Sequence, residues 1–144
     1  MKTRLLRGFF VVTATLGAVL TLASPAAAAR PRVLAVHFDL EVNPVSQGYV
    51  THQLRRAASE HYNAVVILLD TPGGLLESMR KIYQAELASP IPVIVYVYPD
   101  GARAASAGVW ISEAADVLAM APQTNIGSST PISGTGQNLP LIHI

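Results

Sequence analysis

The sequence contains no cysteine. That excludes disulfides, a thiolate nucleophile and any Cys-based zinc site. Charge is scarce, at 13% of 144 residues, which excludes an acidic or basic disordered tail. The 10 Lys+Arg and 9 Asp+Glu leave a net charge of +1, too little for the footprint of a nucleic-acid binder. Lysine occurs only at Lys2 and Lys81. There is no internal repeat, no His or carboxylate cluster with metal-ligand spacing, and no glycine-rich phosphate fingerprint. What the chain has in excess is hydrophobicity, 51% of residues. Its length allows one domain at most.

Part of that hydrophobicity sits at the N-terminus. Lys2, Arg4 and Arg7 precede an uncharged run from Gly8 to Ala23, followed by Ser24, Pro25 and Ala26 to Ala29. A basic start, an apolar stretch and an Ala-x-Ala end make an export signal. Residues 1–29 are therefore expected to be a signal peptide or an uncleaved anchor, and residues 30–144 an exported, extracytoplasmic or membrane-associated domain. Without the three basic residues of this segment, acids outnumber bases, so the slight positive charge says nothing about partners.

The remainder alternates between two periodicities. Arg32 to Asp39 reads as a strand. Val45, Tyr49, Val50, Leu54, Ala57, Ala58 and Tyr62 give a helical stripe, with Asn43 or Ser46 as its cap. Ala64 to Leu69 is a continuous apolar run, the pattern of a strand buried on both faces. Thr71 to Gly74 breaks it. Leu75, Leu76, Met79, Ile82, Tyr83 and Leu87 form a second stripe, with Glu77, Arg80 and Lys81 opposite. Pro92 to Val97 is a third strand, Ala104 to Ala115 is helical after Ser106, and Val117 to Met120 is a fourth strand. From Ala121 onward periodicity is lost. Such alternation implies an α/β fold with a mainly parallel sheet, and ligands at the carboxyl ends of its strands.

Two segments lie at such ends. Gly73 and Gly74 allow positive φ and close approach to the backbone, which suits an oxyanion hole or an ordinary turn. Ser106, among Ala104, Ala105, Ala107 and Gly108, has an uncovered backbone. It suits a nucleophile or a helix cap. No base accompanies it. His37, His52, His61 and His143 each read as structural, and Lys81 falls on a solvated helix face, where nothing lowers its pKa to a useful range. Asp70 caps the turn or orients a neighbour.

The segments Asp70-Thr71-Pro72-Gly73-Gly74-Leu75, Pro92 to Val97, Gly101 to Gly108 and Asn125-Ile126-Gly127-Ser128 occur in an order and spacing that resembles the N-terminal domain of the NfeD-like membrane serine proteases, within the ClpP/crotonase superfamily. The likeness runs over roughly residues 32–138. It implies ClpP/crotonase-like repeated strand–helix units and a Ser–Lys dyad with Ser106 as nucleophile. Gly73 and the N–H of Ala107 would form the oxyanion hole, and Gly74 and Gly108 would border the substrate groove. It implies no cofactor and no metal. As partners it implies a hydrophobic peptide or a stomatin-like membrane protein, and a homodimer. The family's lysine follows the serine, whereas no lysine follows Lys81 here. The chain is therefore expected to be a fragment or frameshifted product, incomplete at the C-terminus and inactive for want of a base. The competing expectation is a peptide-binding scaffold of the same fold. A crotonase-type acyl-CoA enzyme is disfavoured by export, since acyl-CoA is cytoplasmic.

Overall fold

The computed structural model describes residues 30–130. The export segment expected at residues 1–29, and the end of the chain from residue 131, lie outside them.

The first strand, β1 (Val33–Phe38), leads into α1 (Pro44–Ser59), β2 (Ala64–Leu69), α2 (Leu76–Leu87) and β3 (Val93–Val97). A three-residue strand, β4 (Arg103–Ala105), precedes α3 (Ala107–Glu113), β5 (Val117–Met120) and β6 (Asn125–Gly127). The main sheet has the order β1-β2-β3-β5, and every pairing in it is parallel. Strands β4 and β6 pair in parallel as a separate two-stranded sheet. The α/β class and the mainly parallel sheet read from the sequence are what is found.

One face of the main sheet carries the core. Val36 and Phe38, then Val65, Ile67 and Leu69, then Val93, Val95 and Val97 point to it and are fully buried. Val50, Leu54 and Ala57 of α1 and Met79 and Ile82 of α2 belong to the same cluster. The other face is different. In β2, Ala64, Val66 and Leu68 are only half-buried. The reading of that strand as buried on both faces is corrected to burial on one. The crossing helices lie on the core side, and among the described residues nothing covers the second face.

Both helical stripes are shifted from the sequence reading. In α1 the buried residues are Ser46, Val50, Thr51, Leu54 and Ala57, while Val45 and Tyr49 are exposed. Hydroxyls can face inward here because the helix satisfies them. Thr51 Oγ1 donates to the Gln47 carbonyl at 2.9 Å, and Ser46 Oγ donates to the Glu41 carbonyl at 2.8 Å. In α2 the buried set is Ser78, Met79, Ile82 and Glu86, with Leu75, Leu76 and Leu87 exposed. No helix among the described residues is long and apolar enough to cross a membrane.

Candidate active site

The turn after β2 is held on three sides. Thr71 N–H donates to the Arg103 carbonyl at 2.7 Å and the Thr71 carbonyl accepts from Ala105 N–H at 3.1 Å, so the turn pairs with β4. Asp70 Oδ1 accepts from Arg103 N–H at 3.0 Å, which makes Asp70 a tie between β2 and β4. Thr71 Oγ1 donates to the Leu40 carbonyl at 2.7 Å. Val42 then clasps the glycines, donating to the Gly73 carbonyl and accepting from Leu75 N–H, both at 2.8 Å.

Glycine is required at both positions of the turn. Gly73 has φ +102°, and a Cβ there would lie 2.6 Å from Ser106 Cβ and 2.9 Å from the Ala105 carbonyl oxygen. Gly74 has φ +150°, and its Cβ would overlap the Val42 carbonyl. The close approach expected of this pair is thus, for Gly73, an approach to Ser106 itself, and for Gly74 an approach to Val42.

Ser106 sits between β4 and α3 with φ 53° and ψ −110°. A non-glycine residue in this region is strained, and such strain concentrates at functional positions. Its N–H donates to the Gly127 carbonyl at 2.9 Å, which fixes it to β6. Its side chain makes no capping bond to α3, so of the two roles the sequence left open, capping is not the one adopted. The hydroxyl faces a cleft of about 380 Å³.

Two residues beside Ser106 carry N–H groups of interest. Ala107 is the first residue of α3, so its N–H has no partner within the helix. The Gly73 N–H donates a long bond of 3.2 Å to Thr71 Oγ1. Of the residues expected to border the groove, Gly74 lines the cleft. Gly108 is buried in the seam behind it, where a Cβ would meet Thr71 Cγ2 at 2.7 Å.

The other cleft walls are Leu76, Met79, Arg80 and Tyr83 of α2, Trp110 of α3, and Ser129 and Thr130. Sequence reasoning placed Arg80 on the solvated face of its helix and did not assign it to the site. The signal was available in the spacing: Leu76, Arg80 and Tyr83 stand at i, i+4 and i+7, one flank of a helix. Among the described residues no histidine, lysine or carboxylate lines the cleft. His37, His52, His61 and Lys81 are exposed, and no group of side chains there could hold a metal ion. Lys2 and His143 lie outside the described residues.

Comparison with known proteins follows the same residues. The family model described as NfeD1b, N-terminal domain, matches residues 32–139. The membrane-bound protease PH1510 of Pyrococcus horikoshii is 49% identical over 86 residues, which are 60% of this chain and 20% of that protein. Membrane protein NfeD1b of Bacillus subtilis is 30% identical over 111 residues, 77% of this chain and 25% of that protein. Among solved structures, a lysine-to-alanine variant of the 1510-N membrane-bound stomatin-specific protease, in complex with a substrate peptide, superposes with a TM-score of 0.73 at 36% identity, covering 78% of this chain and 54% of that chain. ClpP1 of Listeria monocytogenes superposes with a TM-score of 0.59 at 24% identity, covering 70% of this chain and 61% of that chain, and so shares the fold. The chain spans a fifth to a quarter of the curated relatives' length.

Proposed function

Because the chain belongs to the NfeD1b N-terminal domain family, we propose that residues 30–144 are a serine-type peptidase domain with Ser106 as nucleophile, acting on apolar peptide segments. The observation that carries this reading is Ser106 itself. It is a strained residue whose hydroxyl caps nothing, faces a cleft, and stands against Gly73 at a distance that excludes a side chain.

In the reaction, Ser106 Oγ attacks the peptide carbonyl carbon and gives its proton to a base. The carbonyl oxygen becomes an oxyanion, which the Ala107 and Gly73 N–H groups receive. The Gly73 donor is held by Thr71 through a long, neutral bond, and a charged acceptor displaces it readily. Collapse breaks the C–N bond, the amine leaves with the proton, and water then hydrolyses the acyl-enzyme. The described residues supply the nucleophile and the donors but no base. Turnover by this chain is therefore expected to be slow or absent.

The solved relative is named stomatin-specific, which supports a stomatin-like membrane protein as the source of the peptide. The curated relatives are named as membrane proteins, which supports a domain working at a membrane; its export behind the residue 1–29 signal or anchor rests on the sequence pattern. A fluorophosphonate probe tests the assignment. Slow labelling is expected at Ser106, because the described residues offer the oxyanion donors without a base, and it is lost in Ser106→Ala; equal labelling of the variant overturns it. That no base lines the cleft among the described residues favours one second reading, a scaffold that holds peptide without cleaving it. Peptide binding that is unaffected by Ser106→Ala, together with no labelling, would establish that reading instead.

A further inference from the structure

The cleft beside Ser106 is apolar on most of its wall, through Leu76, Met79, Tyr83 and Trp110, and among the described residues it carries one charged group, Arg80. Among those residues Arg80 is poorly compensated. Its closest acid is Glu77 on the preceding turn, at 4.0 Å from guanidinium Nη1 to Oε1, with side chains 50% and 73% exposed. A pair that long and that open leaves most of the guanidinium charge unspent. Among the described residues no carboxylate lines the cleft to take up the rest. A guanidinium offers a planar fork of donors matched to a carboxylate, and an apolar wall beside it strengthens that match by displacing water.

We propose that Arg80 is a specificity-determining residue: the cleft selects peptides that present a carboxylate beside the apolar side chain resting on Met79 and Trp110. This rests on reading the Ser106 cleft as a peptide site. The carboxylate has two sources, an Asp or Glu side chain or the free C-terminus of a peptide.

Fluorescence anisotropy with the full chain separates them. Three dye-labelled, N-blocked peptides rich in Leu and Val serve as probes. One carries a single Glu and an amidated end, the second carries Gln in its place, and the third is the Gln peptide with a free carboxyl end. The Glu or the free-end peptide should bind about fivefold more tightly than the neutral one at low salt, and whichever does so identifies the source. The preference should shrink as salt screens it, disappear in Arg80→Gln, and invert in Arg80→Glu. Glu77→Gln, which removes the competing acid, should widen it. All three substitutions lie on an exposed helix flank, so folding is not at issue. Equal affinities, a preference that survives Arg80→Gln, or no binding by any peptide overturns the assignment. Fluorophosphonate labelling of Ser106 in the same samples reports separately on the peptidase reading. A labelled Ser106 with no charge preference sinks only the role of Arg80, and a charge preference without labelling sinks only the nucleophile.

Discussion

Glu86 is 3% exposed, and among the described residues neither of its carboxyl oxygens has a hydrogen-bond partner. It shares the inward flank of α2 with Met79 and Ile82. Burial pushes its pKa from 4.5 up to about 9, so the folded chain holds it neutral at physiological pH. The sign of the consequence follows. Between pH 4.5 and 9 the unfolded chain releases a proton that the folded chain keeps, so this residue makes stability greatest below the lower value and erodes it as pH rises toward the upper one. Glu86→Gln keeps a neutral group of the same shape. It is expected to be more stable than the parent by on the order of 3 kcal/mol at pH 7, with little difference at pH 4. Urea unfolding of both chains across that pH range measures it, and parallel pH profiles would refute it. Nothing in the sequence pattern marked Glu86, because beside a stripe of apolar residues a single acid reads as the polar side. Ser106 and Gly73 were legible for the opposite reason: small residues at strand ends leave few structural roles, and their order along the chain is distinctive.

At the scale of elements, α1 shows how a local signal reaches the site. Asn43 Oδ1 accepts from Val45 and Ser46 N–H at 2.9 and 3.1 Å, and Ser46 Oγ accepts in return from Asn43 N–H at 2.9 Å. This reciprocal box fixes the start of the helix. It also fixes Val42, the preceding residue, which clasps Gly73 and Leu75. Asn43→Ala should cost about 1 kcal/mol of stability. It should also slow fluorophosphonate labelling of Ser106 at temperatures where the fold is intact. Thermal unfolding and labelling rates of the variant test both, and an unchanged labelling rate would show that the clasp stands without its cap. The capping residues were readable in the sequence because a box is a pattern of adjacent residues. Strands β4 and β6 were not. Arg103 to Ala105 and Asn125 to Gly127 have no alternation to read, and they are strands because they pair with each other across some twenty residues and Thr71 bonds β4 from far along the chain.

For the whole molecule, the consequential feature is the second face of the main sheet. The parallel register aligns Ala35, Val66, Ile94 and Val117 in one row across the four strands and His37, Leu68, Tyr96 and Ala119 in the next. Val117 is 52% exposed and stands on β5, which among the described residues pairs with β3 alone. The result is an apolar surface that ends at an unpaired strand edge, two properties that each favour association. The sequence signalled this in an indirect way, through near-continuous apolar strands that the alternation of half-buried and buried positions only partly explains. Residues 30–144 are therefore expected to associate as concentration rises, which light scattering coupled to size exclusion would register as a mass above the monomer. Val66→Lys places a charge in the middle of the open face without touching the core side, and Val117→Lys places one at its edge. Both should restore the monomer without loss of helical circular dichroism. A parent chain that stays monomeric at high concentration would mean that this face is covered in solution, and the lysine variants would then lose stability instead of gaining solubility.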